Sequence, residues 1–195
     1  VAPGGVSSSP PPSLAPSGDP DSGKGDLQRL AHLYFQWGEV AKACHKPEVA
    51  MARYRTATSL ANDYPQPIWA LAAILFEKNQ WVEAHPLYLQ LAALTERDPT
   101  QMPVGREAIW EKLAHTSERL GQREAAVGYW EKLLAIPEYP HQAPGHLILA
   151  RLLGEAGKHD EALQCLASVS GGPFGHAEKF EALMLQGKIW QTRND

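Results

Sequence analysis

Residues 74–94 read ILFEKNQWVEAHPLYLQLAAL, and in this stretch Ala84 is followed four residues later by the ring of Tyr88. The same pairing of a small residue with a large apolar one recurs at Ala50 and Tyr54, Ala126 and Trp130, and Ala162 and Leu166. The first two of the four alanines are 34 residues apart. A period of this length is typical of helical-hairpin arrays, which bury a core between neighbouring repeats and leave a long curved surface free.

The composition of the chain changes at Asp26. Residues 1–25 consist almost entirely of Pro, Gly, Ser and other small residues. They offer too little apolar surface to offset the entropy of ordering, so we predict a disordered tail or linker. Residues 26–195 follow a helical apolar period and lack the long alternation of half-buried strands, which predicts an all-α domain.

Four repeats can be aligned on the alanines, followed by one further helix. The repeats span about 31–64, 65–98, 107–140 and 143–176, and the terminal helix spans 177–191. In each repeat a small residue of the leading helix (Gly38, Ala72, Ala114 or Ala150) accompanies the alanine of the second helix. Small residues at both places let the paired helices approach closely, and the neighbouring rings and leucines fill the space between them.

This pattern resembles the tetratricopeptide repeat family, whose sequence runs W-x-x-L-G-x-x-Y, then A-x-x-x-F, then P. Residues 34–41, YFQWGEVA, and residues 157–162, GKHDEA, carry the resemblance most clearly. It implies a right-handed α-solenoid of about four repeats plus a C-terminal helix, although another helical-hairpin solenoid would fit the same pattern. His146 and Ser117 depart from it, and an insertion at 98–106 stretches one alanine spacing to 42 residues. That insertion is a second candidate contact, because insertions in repeats often gather on the binding face.

The resemblance also implies a binding surface. In the family, positions two, five, nine, twelve and thirteen of each leading helix line a concave groove. Position nine is Glu39, Ala73, His115 and Arg151 in the four repeats of this chain. From all these positions we predict a partner-binding groove of Phe35, Lys42, Trp69, Phe76, His115, Arg119, Leu147 and Arg151.

The residue types in this set suggest the chemistry of the partner. Aromatic and Arg side chains concentrate binding energy, so a helix or extended peptide with apolar anchors and some acid would suit the groove. Trp69 and Phe76 could instead pack against the neighbouring repeat. His115 is the residue expected to make binding sensitive to pH.

The terminal helix, 177–191, carries two apolar stripes rather than one. Phe180, Leu183, Met184 and Trp190 are expected to face the preceding repeat. The second stripe consists of Ala182, Leu185 and Ile189. A capping helix should be polar on its outer side. We therefore expect this stripe to be covered, either by further chain or by a second copy of the protein.

Other function classes find little support in the sequence. The net charge of -4 gives no basic field for nucleic acid. No stretch reaches the roughly 18 apolar residues that a membrane-spanning helix needs. The segment 18–25 resembles a phosphate-binding loop, but Gly25 replaces the hydroxyl residue that would hold magnesium. The eight histidines form no metal-binding motif, and Cys44 beside His45 forms no positioned nucleophile pair.

We therefore predict a protein–protein interaction module that is not an enzyme, holds no cofactor or metal, and binds a partner's peptide or helix as an adaptor or assembly scaffold. Self-association through the C-terminal helix remains an alternative. So does a role as the accessory repeat domain of a larger enzyme or secretion-type complex. The cytoplasm is slightly favoured as the compartment, and because the chain begins with Val1, a removed signal or anchor stays open.

Overall fold

The computed structural model describes residues 20–194, and within them every regular element is a helix. A short 3-10 turn at Pro99–Gln101 interrupts the series between α4 and α5. The α-helices are α1 (Pro20–Ala43), α2 (Pro47–Leu60), α3 (Pro65–Glu77), α4 (Trp81–Arg97), α5 (Arg106–Arg119), α6 (Arg123–Leu134), α7 (Gln142–Glu155), α8 (His159–Gly171) and α9 (His176–Asn194).

Successive helices pair into four hairpins, α1 with α2, α3 with α4, α5 with α6, and α7 with α8, and α9 packs on the last pair. Each hairpin also packs on the next one, and this serial contact builds the α-solenoid. Each predicted repeat corresponds to one hairpin, although α6 ends at Leu134 and α8 at Gly171, several residues before the predicted repeat ends at 140 and 176. None of the helices in residues 20–194 combines the length and the apolar character needed to span a membrane.

The first helix begins earlier than predicted. The expected tail extended to residue 25, whereas α1 begins at Pro20. Proline suits the first turn of a helix, where its missing N–H needs no partner. The remainder of the predicted tail, residues 1–19, lies outside the described residues.

The turn inside each hairpin is built in the same way four times. One residue adopts a left-handed φ, namely His45 (55°), Asn79 (58°), Gly121 (72°) and Gly157 (77°). The next N–H then donates to a carbonyl five residues back, from Lys46 to Ala41 (2.9 Å), Gln80 to Leu75 (2.9 Å), Gln122 to Ser117 (2.8 Å) and Lys158 to Leu153 (2.9 Å). These bonds satisfy the carbonyls at the end of each leading helix.

The small residues that the sequence placed at the helix crossings are all buried. The four repeat alanines, Ala50, Ala84, Ala126 and Ala162, have no exposed surface. Gly38 has the tightest position, because a methyl group there would collide with the Tyr54 ring. The large side chains that complete the core of each hairpin are Tyr54, Tyr88, Trp130 and Leu166, and all four are buried.

The terminal helix faces the opposite way from the prediction. Ala182 (0% exposed) and Ile189 (7%) are buried, and Leu185 is packed against the core. The predicted inner residues, Phe180, Leu183, Met184 and Trp190, are instead between 51% and 67% exposed. Close approach explains the inversion, since Ile189 fits into the space beside Gly154 of α7, at 3.5 Å from where a Cβ would stand. The larger rings would hold the two helices apart.

The crossing of α5 and α6 can be tested by overpacking. Replacing buried Ala126 with Trp should lower the free energy of unfolding by about 2 kcal/mol or more, because the helices cannot separate without losing their other contacts. Thermal and urea denaturation would measure the loss. Ala125→Trp is the matched control, since Ala125 is exposed on the same helix. An unchanged melting curve for Ala126→Trp would contradict the repeat register.

Candidate functional site

Contacts between leading helices join α3 with α5 and α5 with α7. Lys112 of α5 lies with its Nζ 4.1 Å from the ring centroid of Phe76 in α3. Arg151 of α7 donates from Nη2 to Glu118 Oε1 of α5 at 2.6 Å. We call this surface of α1, α3, α5 and α7 the groove.

The aromatic residues of the groove are half buried. Phe35, Trp69 and Phe76 each retain some exposure. Phe35 lies 5.9 Å from the Tyr54 ring, and Trp69 packs edge-on against Tyr88 at 5.7 Å between centroids. Both rings pack on the second helix of their own repeat, and both keep part of their surface exposed. Phe76 also contacts the neighbouring repeat, through Lys112.

The cationic residues of the groove differ in whether another side chain of the protein already pairs with them. Arg151 bonds Glu118 and also Glu155, at 3.3 Å from its Nη1. Burial by itself lowers the pKa of Arg151, but these two carboxylates raise it overall. Arg151 thus ties α7 to α5 rather than standing free for an acidic partner. Lys42 and Arg119 are exposed and have no ion pair within residues 23–193.

Leu147 is the predicted groove residue that the structure removes from the surface. Only 6% of it is exposed, and it belongs to the same buried cluster as Tyr139 and Ala143. Tyr139 lies in the stretch between α6 and α7 and donates from its Oη to Glu111 Oε2 at 3.1 Å. Tyr139, Ala143 and Leu147 therefore belong to one core at the junction of the third and fourth repeats.

The residues predicted as an oligomer face lie instead on the side of α9 that packs within the chain. Leu185 and Ile189 of α9 line a cleft of about 220 Å³ together with Ala150, Arg151 and Gly154 of α7. Ala182, which is also on α9, is fully buried. The two predicted sites, one on α7 and one on α9, therefore meet at this cleft.

The insertion at 98–106 is held together by hydrogen bonds between its own residues. The Asp98 side chain accepts from Thr100 N at 3.0 Å and from Gln101 Nε2 at 2.7 Å. The hydrogen bonds from Thr100 contribute most to lowering the Asp98 pKa. Gln66 donates to Gln101 O at 3.3 Å, and this contact joins the insertion to α3. A cleft of about 290 Å³ beside it is lined by His32, Tyr64 and Gln101, among others.

Sequence reasoning missed how the ninth-position residues meet the second helix. In the first repeat the Tyr54 hydroxyl donates to Glu39 Oε1 at 2.5 Å. In the third, His115 packs edge-on against Trp130 at 5.2 Å between centroids. In the first and third repeats the ninth position therefore contacts the ring that follows the repeat alanine by four residues. Aligning the repeats on their alanines, as the sequence allows, would have revealed this pairing.

Three histidines of the domain lie where burial lowers their pKa. Burial lowers the pKa of His115 below its ordinary value of 6.5, although Glu111 and Glu118 oppose the shift while Lys112 and Arg119 add to it. Burial also lowers the pKa of His85 and of His146. Within the described residues, no three His, Cys, Asp or Glu side chains are grouped as metal ligands would be.

This architecture is that of tetratricopeptide repeat proteins, and solved structures bear it out. YrrB, described as a TPR protein with an unusual peptide-binding site, has 17% identity and a TM-score of 0.66 over 91% of this chain and 84% of that chain. MamA has 14% identity and a TM-score of 0.58 over 87% and 93%. PilF of Pseudomonas aeruginosa has 18% identity and a TM-score of 0.55 over 90% and 86%.

No protein-family model and no curated protein matches the sequence. The similarity to these solved structures shows that the chain has the tetratricopeptide repeat fold, and the predicted all-α solenoid is confirmed. Identities this low show the fold alone.

The lowered histidine pKa values predict a loss of stability in acid. Below a pH of about 6.5 the unfolded chain binds more protons than the folded one, so the melting temperature should fall as the pH is lowered from about 7.5 to about 5.5. His115→Gln should reduce this fall, because it removes a group that resists protonation only when folded. His141→Gln, at an exposed position, is the control. Equal pH dependence in wild type and His115→Gln would contradict the assignment.

Proposed function

We propose that this domain binds a peptide or helix of a partner protein in its groove and acts as an adaptor or assembly scaffold. The observation that supports this best is the row of half-buried rings, Phe35, Trp69 and Phe76, each packed on the second helix of its own repeat. Rings held in this way lose little conformational freedom when a ligand covers their open side. Recognition by a surface that is already formed is therefore the mechanism.

The chemistry of the groove favours a mainly apolar ligand. Arg151 is already neutralised by Glu118 and Glu155. The cleft that contains Leu185 and Ile189 continues the apolar surface beyond α7. Lys42 and Arg119, at the last turns of α1 and α5, and Lys112, which lies over Phe76, are cations that would meet an acidic group of the ligand. YrrB, with the same fold, is described as having a peptide-binding site, which agrees with a peptide ligand here.

A selection of short random peptides by phage display tests the proposal. Peptides selected on the wild-type domain should lose about 30-fold or more in affinity for Trp69→Ala, since a buried aromatic anchor contributes about 2 kcal/mol. Isothermal titration would measure the affinities, and circular dichroism would confirm that the variant is folded. Leu89→Ala is the control, because Leu89 is exposed on α4, the second helix of the same repeat. Peptides that bind Trp69→Ala and wild type equally would overturn the proposal.

Self-association is a second candidate, supported by the exposed face of α9. Phe180, Leu183, Met184 and Trp190 lie together on the side turned away from α7 and α8. Several large apolar residues on one exposed helix face are uncommon in a monomer and are typical of an interaction surface. We propose that a second copy of the chain covers this face in solution.

Charge placed on that face should prevent the association. Leu183→Glu should shift the sedimentation coefficient to that of a monomer at concentrations where the wild type is larger, because a carboxylate cannot be buried there without a partner. Leu89→Glu, on α4, is the matched control. A wild type that sediments as a monomer at every concentration would exclude this candidate.

A further inference from the structure

The cleft between α7 and α9 is open to solvent. Leu185 and Ile189 of α9 form one side of it, and Ala150 and Gly154 of α7 form the other. Leu185 and Gly154 are partly exposed, so a group from solution can reach the inside. The volume of about 220 Å³ is larger than the roughly 150 Å³ of an engineered cavity that binds benzene. The cleft therefore has room for one apolar side chain of a ligand.

Gly154 keeps this space open. A Cβ at residue 154 would stand 3.5 Å from both Cγ1 and Cδ1 of Ile189, which is an ordinary contact distance. One methyl group would therefore fit, but a longer side chain would either fill the cleft or push α9 away from α7. The missing side chain thus leaves between the two helices a volume that no residue of the described chain occupies.

The charged groups on the α7 side of the cleft cancel one another. Arg151 pairs with Glu118 at 2.6 Å and with Glu155 at 3.3 Å. Glu155 in turn lies 3.6 Å from Nε of Arg123. Two arginines and two glutamates leave no net charge on this side, so it favours neither an anion nor a cation.

The α9 side of the cleft carries one cation. Lys188 lies at the mouth, is exposed, and forms no ion pair with any side chain of residues 23–193. The Thr192 hydroxyl, also at the mouth, already donates to the carbonyl of Ile189 at 3.0 Å. The inside of the cleft is thus apolar, and its mouth has a positive charge that a ligand can meet.

We propose that this cleft, formed by Ala150, Gly154, Leu185, Lys188 and Ile189, binds one large apolar side chain of the peptide ligand together with the carboxylate of a neighbouring residue. The apolar side chain gains affinity because it leaves water for an apolar surface. The carboxylate meets Lys188, and this exposed pair contributes to specificity more than to affinity. The inference rests on the proposed function, since it takes the ligand to be a peptide.

Peptides that use the cleft can be selected directly. A random library on phage is first depleted on the Leu185→Ala variant and then selected on the wild type. The selected peptides should share Leu, Ile, Met or Phe beside Asp or Glu. They should bind Leu185→Ala about 10-fold more weakly than the wild type in isothermal titration, because one side of the cleft is lost.

Leu183→Ala is the matched control, because Leu183 is exposed on the side of α9 turned away from the cleft. It should bind the peptides as the wild type does, and circular dichroism would show that both variants are folded. A library that yields no peptide able to distinguish the wild type from Leu185→Ala would overturn the inference.

A double-mutant cycle shows whether the ligand side chain lies in the cleft. Replacing the shared apolar residue of the peptide with Ala should weaken binding to the wild type about 10-fold, but binding to Leu185→Ala only about 2-fold or less. The two losses overlap in this way when the two side chains contact each other. Additive losses would place the apolar residue elsewhere on the protein and would overturn the inference.

The carboxylate is tested through its dependence on salt. Lys188→Gln should weaken the peptides about 3-fold at low salt and hardly at all at high salt, because salt screens an exposed pair. Lys179→Gln is the control, since Lys179 is on the same helix but does not line the cleft. Equal affinities for Lys188→Gln and the wild type at low salt would overturn the assignment of a carboxylate to the mouth.

Trp69→Ala separates this inference from the proposed function. Peptides weakened by both Trp69→Ala and Leu185→Ala would support both. A library that yields peptides sensitive to Trp69→Ala, but none sensitive to Leu185→Ala, would leave the groove in place and overturn the cleft. Peptides sensitive to Leu185→Ala alone would support the cleft and overturn the role proposed for the rings of the groove.

Discussion

The close approach of two helices at a pair of small residues is the contact on which the rest of this structure depends. Gly38 with Ala50 in the first hairpin, and Ala72 with Ala84 in the second, leave just enough room for the tyrosine ring that follows. The ring fills the crossing completely, and the leading helix cannot rotate without losing that contact. Because the rotation of each leading helix is set in this way, its outer residues point consistently into one groove.

The same contact also orients residues of the surface. In two repeats the ring that follows the repeat alanine meets the ninth position of the leading helix: Tyr54 donates to Glu39, and Trp130 packs edge-on against His115. In the second repeat Tyr88 and its hydroxyl are fully buried. Side chains that build the core thus also fix the positions of some surface residues.

Periodicity in the sequence predicted the hairpins because every crossing needs a small residue and a large one four positions apart. Periodicity could not predict which side of α9 packs on the preceding repeat, because both stripes of α9 are apolar. The side that packs depends on Gly154 of α7, which leaves room for Ile189. Leu147 is buried because it packs in one cluster with Tyr139 of the preceding repeat. Arg151 is not free for a partner because it bonds Glu118, which lies 33 residues earlier in the sequence, on the leading helix of the preceding repeat. Each of these differences comes from a contact between repeats, which the pattern within one repeat does not contain.

Variation among otherwise equivalent repeats therefore carries the specific information in this chain. The ninth position is acidic, small, imidazole and cationic in successive repeats, although the backbone around it is the same. Stability alone would favour a residue that satisfies the ring beneath it, as Glu39 does for Tyr54. Buried polar atoms without a partner among the described residues occur in the first repeat at Thr58 Oγ1, in the second at Tyr88 Oη, and in the third at Ser117 Oγ and Trp130 Nε1. No single repeat is therefore set apart by its buried polar groups, and the recognition that we propose belongs to the surface that the repeats form together.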